Sequence, residues 1–172
     1  VFDQERLYNK DLNALEVGSY EGKTSFFFLH LFKKMHLTAI DTWEGSDEHM
    51  QINFEIIEKE FDDNLAVFKK RLTKFKGKSV EFFENIKNNI QYDLIYIDAS
   101  HKADDVLNDS KSAWLKTKIG GIIIFDDYNW NFYKKNIKDN PVYGINAFLS
   151  FNKNKYKILS VSRQLIIKKI SE

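Results

Sequence analysis

Apolar and polar positions along the chain alternate between two rhythms. Leu12 to Val17 reads as a short buried strand, and Lys23 to Lys34, apolar almost all round, as a helix laid on a sheet. The pair then repeats. Leu37 to Asp41 predicts a second strand, followed by a helix capped by Ser46 with Met50, Phe54, Ile57 and Phe61 at helical spacing. Ser79 to Phe83 predicts a third strand and Tyr92 to Asp98 a fourth. Ser100 is placed to cap the next helix, which carries Asp104 and Asp105 in its first turn and Ala103, Val106, Leu107, Ser110 and Trp114 on its inner face.

Gly120 and Gly121 then break the chain before a fifth strand, Ile122 to Phe125. Asn140 and Pro141 open a helix through Ile145, Phe148 and Leu149. Tyr156 to Ser160 and Gln164 to Ile170, separated by Val161, Ser162 and Arg163, predict a closing antiparallel hairpin. The alternation implies an α/β fold: a Rossmann-like, doubly wound, mostly parallel seven-stranded sheet ending in an antiparallel hairpin, with helices on both faces. Such sheets bind ligands at the carboxyl ends of their strands.

Length and composition narrow the function. The 172 residues, 43% of them hydrophobic, suit one domain spanning residues 1–172, and no linker or repeat interrupts them. With 26 basic against 25 acidic residues the net charge is +1. That offers no broad field for a polyanion, although Lys134, Lys135 and Lys153 to Lys157 form basic stretches, so nucleic acid is not the expected partner. A small-molecule acceptor is, and a homodimer is allowed.

The absence of cysteine removes thiolate chemistry and leaves oxygen and imidazole as metal ligands. The apolar run Ser25 to Leu29 is far short of the ~20 residues that span a bilayer. With no targeting signal in sight a cytoplasmic location is expected. The chain begins at Val1, so a preceding piece is expected to be missing.

The stretch LEVGSYEGKTS, beginning at Leu15, holds the first candidate chemistry. Its glycines, Gly18 and Gly22, match neither the dinucleotide fingerprint nor the P-loop. Glu16 at the strand tip and Glu21 in the turn would repel a pyrophosphate and attract an ammonium or sulfonium. Asp41, about twenty residues beyond the glycines, is placed to accept hydrogen bonds from a ribose diol. A ribose joined to a cation points to S-adenosylmethionine. Taken singly, Gly18 and Gly22 would equally serve a tight turn, and Asp41 a helix cap.

These residues, with AIDTWEGS, YDLIYIDASH and GGIIIFDDYNW in order and spacing, resemble the class I S-adenosylmethionine-dependent methyltransferases from Leu12 to Ile170. Within them the chain looks most like the small-molecule O-methyltransferases of the catechol and macrolide-sugar type. The resemblance implies Glu16, Gly18, Ser19 and Gly22 around the methionine moiety, Asp41 on the ribose, and Glu84 and Asn85, just after the third strand, beside the adenine.

Asp98, Asp126 and Asp127 end neighbouring predicted strands, and three carboxylates at one rim repel unless protonated or shared with a cation. Mg²⁺ or Ca²⁺ would satisfy them, and no His-x-x-x-His pair suggests zinc. The resemblance implies a divalent-metal site at these strand ends that takes a substrate's vicinal hydroxyls, with Asp98 also bordering the cofactor. Catechol enzymes show Asp-Asn where this chain has Asp126 and Asp127, which turns the expectation toward a sugar-like polyol.

Tyr128, Trp130, Phe132 and Tyr133 could wall a sugar ring or simply pack on the core. His30, His36 and His49 are expected to do no chemistry. His101, three residues after Asp98, is the expected base for the acceptor hydroxyl, because an ordinary imidazole pKa of about 6.5 suits a hydroxyl acidified by a metal. The resemblance implies a histidine there in the sugar-type enzymes. The readings that compete are a metal-independent methyltransferase, a non-catalytic cofactor-binding protein and a nucleic-acid methyltransferase.

Overall fold

A computed structural model describes residues 1–45 and 53–172. Seven strands, β1 (Leu12–Val17), β2 (Met35–Asp41), β3 (Leu72–Lys76), β4 (Tyr92–Ile97), β5 (Thr117–Phe125), β6 (Tyr156–Val161) and β7 (Leu165–Lys169), form one sheet in the order β3-β2-β1-β4-β5-β7-β6. The first five run parallel, and β7 lies antiparallel between β5 and β6. The helices are α1 (Lys23–Leu31), α2 (Phe54–Asn64), α3 (Ser79–Asn85), α4 (Ala103–Lys116) and α5 (Pro141–Phe151).

Alternate side chains of the central strands enter two separate cores, as the strand period of two requires. Ala14, Leu37, Leu94 and Ile124 pack with Phe28 and Leu29 of α1 and Phe61 of α2. Leu15, Ile40, Ile95 and Ile123 pack with Val106 and Trp114 of α4 and Phe148 of α5. Helices therefore cover both faces of the sheet. Among the described residues no helix is long and apolar enough to cross a membrane.

The third strand is displaced from its expected place. Ser79 to Phe83 is helical, and the strand is Leu72–Lys76, just before Gly77. The β-formers Val80, Phe82 and Phe83 suggested a strand, but Phe82 and Ile86 recur at helical spacing and join the core beside Phe75. The true strand lies at the sheet edge, half exposed, and so carries Lys74 and Lys76 rather than an apolar run.

Other boundaries shift less. The first helix stops at Leu31, with Phe26 and Phe27 exposed, and β2 begins at Met35, so His36 lies on an exposed strand position. Thr117–Phe125 continues through Gly120 and Gly121 as one strand, but bulged there, with Thr117 opposite Tyr92 and Ile122 opposite Leu94. Asn53, accepting from Glu55 N, caps α2. The expected cap Ser46, with Met50 and His49, lies outside the described residues.

Candidate active site

The register of the parallel strands builds the site. The residue following each strand donates its backbone N–H to the end of its neighbour: Gly18 to Ile40, Asp98 to Val17, Asp126 to Ile97 and Gly77 to Asp41. Five strand ends are thereby held level, and a cavity of about 890 Å³ opens along them, lined by Glu16, Gly18, Asp41, Ser79, Asp98 and His101 among others.

Gly18 permits the close passage of two strand ends. Its φ is +88°, and a Cβ there would sit 2.0 Å from the carbonyl oxygen of Asp98. Gly22, with φ +82°, starts α1 from the left-handed region. The turn expected to hold a ligand is thus also sterically required by the fold.

Glu16 is 1% exposed beneath this turn. Its Oε2 accepts from Ser19 Oγ at 3.1 Å and from Ser25 Oγ, and its Oε1 has no partner. Burial pushes this carboxyl up to about 8; the two serine hydroxyls oppose the rise, and Asp98 and Asp41 add to it. An orphaned, buried carboxylate oxygen facing a cavity fits an ammonium or sulfonium.

The raised value has a consequence for stability without ligand. Between the ordinary carboxyl pKa of 4.5 and about 8 the folded state holds a proton that the unfolded state has released, so stability falls as pH rises across that window. Glu16→Gln should flatten this part of the Tm-against-pH curve, and a curve superimposable on wild type would show that Glu16 titrates normally.

Asp41 lines the cavity, but its carboxylate is heavily used. Oδ2 accepts from the backbone N–H of Ser19 and of Tyr20, each at 2.8 Å, and Oδ1 from that of Trp43 at 2.8 Å. Trp43 Nε1 in turn donates to Tyr20 O at 2.9 Å. Asp41 therefore ties the loops after β1 and β2 together, a role that sequence spacing did not suggest.

The shift of β3 moves the residues just after the third strand from Glu84 and Asn85 to Gly77, Lys78, Ser79 and Val80, and these four line the cavity. Glu84 and Asn85 occupy the last turn of α3, outside that lining, with Asn85 Nδ2 donating to Glu81 O.

At the other end stand the acids. Asp98, His101 and Asp127 each offer a ligand atom within 4.8 Å of the others. His101 Nε2 lies 3.1 Å from Asp127 Oδ2 and 3.8 Å from Asp98 Oδ1. Burial lifts Asp98 to about 6; His101 opposes this, and Asp126 and Asp127 reinforce it. Asp127 is held below the usual carboxylate range, first by its hydrogen bond with His101 and also by Arg163, against the opposing effect of burial. Its backbone is left-handed, φ +49°, which is uncommon for a residue with a side chain and recurs at functional sites.

Asp126 does not join this group. Its Oδ2 accepts from Tyr96 Oη at 2.7 Å, on the sheet face covered by α1, and its buried Oδ1 has no partner. The three carboxylates expected at one rim thus divide: Asp98 and Asp127 meet around His101, and Asp126 pairs with Tyr96.

Arg163 is a site residue that sequence reading left in the hairpin connection. Its Nε and Nη2 lie 3.3 and 3.2 Å from Asp127 Oδ1. Because β7 runs antiparallel to β5, with Leu165 opposite Phe125, the hairpin loop returns to the rim where β5 ends. A cation in that loop opposite an acidic strand end was the signal available.

Trp130 covers His101, with ring centroids 5.0 Å apart at 32°, and stacks on Phe132. Tyr128 instead turns to Asn146 of α5, so the aromatic stretch is only partly a wall. The carboxylates of Asp98 and Asp127, with His101 beside them, form a hard oxygen donor set that suits Mg²⁺ or Ca²⁺.

A methyltransferase domain family matches residues 15–128, and the chain belongs to that family. No curated protein matches it. Its fold is shared by a caffeoyl-CoA O-methyltransferase candidate from Staphylococcus aureus, with 21% identity, 99% of this chain and 79% of that one covered, and a TM-score of 0.68. The MycE methyltransferase of the mycinamycin biosynthetic pathway, solved with Mg and SAH, has 12% identity and a TM-score of 0.69, with 99% of this chain and 49% of that one covered. A ribosomal-RNA methylase candidate from Clostridium thermocellum has 13% identity and a TM-score of 0.71, covering 98% of this chain and 92% of that one. The protein is an S-adenosylmethionine-dependent methyltransferase with the class I fold.

Proposed function

We propose that this chain transfers a methyl group from S-adenosylmethionine to a hydroxyl of a small, sugar-like or polyol acceptor, with a divalent ion at the Asp98 and Asp127 rim and His101 as the base. The observation that carries the reading is that His101, held between two carboxylates, faces the same cavity as the orphaned oxygen of Glu16. The cofactor supplies an electrophilic methyl on a sulfonium, and the ion supplies charge that acidifies a hydroxyl.

The remaining work falls to side chains and backbone. Glu16 offers negative charge to the cationic end of the cofactor, Gly18 gives room for its approach, and Asp41 keeps the surrounding loops in place. His101 Nε2 takes the hydroxyl proton, and Asp127 stabilises the imidazolium that results. Trp130 limits the tilt of the imidazole and shields it from water. MycE, a structural neighbour crystallised with Mg and SAH, is consistent with this assignment of the rim. A cytoplasmic protein of one domain, possessing no nucleic-acid partner and free to form a homodimer, completes the proposal.

Arg163 favours one competing reading. It already places positive charge on Asp127, and a metal-independent enzyme could use that charge in place of an ion. Equilibrium dialysis against Mg²⁺, paired with turnover in excess chelator, separates the two. One Mg²⁺ per chain, lost in Asp98→Asn, and no turnover with chelator are expected. Full turnover in chelator would transfer the role to Arg163.

A further inference from the structure

The surface where α1 ends carries a charge pattern that the cavity does not use. Residues 22–40 and 65–80 together hold nine Lys and Arg and no Asp or Glu, in a chain with 26 basic and 25 acidic residues overall. The fold brings the two stretches together. Leu37 N donates to Arg71 O, and the Arg71 guanidinium donates to the carbonyls of Leu29, Phe32 and Met35 at 2.8, 3.0 and 3.3 Å. Arg71 thus clasps the loop after α1 to the turn before β3, and Lys33, Lys34, Lys69 and Lys70 gather at that corner. All four lysines are exposed, and none forms an ion pair among the described residues. The acids that follow nearest in the sequence are Asp62 and Asp63 at the end of α2, and Asp62 is bound to Lys74.

Apolar groups stand out from the same corner. Phe26 is 43% and Val67 78% exposed. The Phe26 ring stacks on His30 at 5.9 Å and meets Phe68 edge-on at 5.4 Å. A helix laid on a sheet ordinarily turns polar residues to solvent, and α1 turns an aromatic surface there instead.

We propose that this corner docks on an anionic lipid bilayer, with Phe26 and Val67 entering the headgroup region and Lys33, Lys34, Lys69 and Lys70 facing the lipid charges. Lysine suits that place, because its stem lies along apolar surface while its ammonium stays in water. A nucleic acid fits less well: Arg71, the arginine of these stretches, commits its guanidinium to backbone carbonyls and leaves no fork for phosphate or base. A second copy meeting through the same face would set lysines against lysines. None of the six docking residues lines the cavity at the strand ends, so the bound protein keeps its site open.

Because the chain has no cysteine, Val67→Cys can carry a single environment-sensitive fluorophore. Its emission should move to the blue on vesicles of equal parts phosphatidylserine and phosphatidylcholine and stay fixed on phosphatidylcholine alone. A label at Leu115→Cys, exposed on α4 across the sheet, should not respond. In co-sedimentation, binding should weaken as salt rises, and joint Lys33→Gln and Lys34→Gln should lower it about 25-fold, at about fivefold per lysine. Val67→Asp should weaken it too, and cofactor affinity should be unchanged in every variant. Equal binding to both vesicle types, binding to neither, or a wild-type response in the lysine variant overturns the proposal. Tighter binding of a single-stranded RNA oligonucleotide than of anionic vesicles overturns it as well.

Discussion

His101→Ala is expected to lower turnover by roughly 10² to 10⁴, the usual contribution of a general base, with cofactor affinity nearly unchanged. The geometry makes the loss specific. His101 Nε2 sits 3.1 Å from Asp127 and 3.8 Å from Asp98, so a proton taken from an acceptor arrives beside two carboxylates that stabilise the imidazolium. Removing the ring leaves Arg163 as the side-chain cation on Asp127, and Arg163 cannot take up a proton. A base must be unprotonated to act, so the wild-type rate should climb with pH to a plateau, and the variant should lose that limb. His101→Asn serves as a second probe because it keeps a polar group beneath Trp130. A variant that methylates at the wild-type rate with the wild-type pH profile would strip His101 of the role and direct attention to Lys102 or to a water at the rim.

Lys169→Met is expected to destabilise the fold by about 3 kcal/mol, given ~1.5–3 kcal/mol for each hydrogen bond to a charged group. The lysine is fully buried at the end of β7, where Nζ donates to Trp114 O and Thr117 O, each at 3.1 Å, and lies 4.9 Å from the Trp114 ring centroid. A positive charge at the carboxyl end of α4 also complements the helix dipole. Its carboxylate partner, Glu172, is exposed and contributes little. Methionine preserves the length of the side chain and removes every donor. At ~2–4 °C per kcal/mol for a chain of this size, Tm should fall by about 6–12 °C. Cofactor affinity should hold, because the antiparallel course of β7 puts Lys169 at the opposite end of the sheet from Asp127. A Tm within 2 °C of wild type would mean that the cost of desolvating the ammonium cancels its hydrogen bonds.

The sites most legible in the sequence were those whose chemistry is local. Glu16 and Gly18 sit within one strand and turn, and His101 follows Asp98 within one loop, so spacing along the chain is nearly spacing in space. The strands β1, β2, β4 and β5 were legible because parallel strands buried on both faces are rich in apolar residues, and the buried stretches of these strands mostly are. β3 escaped for the opposite reason: an edge strand is solvated on one side, and its lysines hide it. With it went Glu84 and Asn85, carried away from the cavity by a displacement of several residues.

What the sequence determined by itself, then, was the alternation of elements, the parallel sheet and the set of carboxylates at its strand ends, because hydrophobic period and strand ends are properties of neighbouring residues. Which carboxylates meet was decided only by the tertiary structure. Asp126 and Asp127 are adjacent in the chain, yet one pairs with Tyr96 and the other with His101 and Arg163. The left-handed backbone of Asp127 accompanies that divergence, and the antiparallel return of β7 delivers Arg163 to the rim. Asp41 fastening two loops and Asp109 meeting Ser79 across 30 residues likewise depend on strand register and helix packing, which no local pattern encodes.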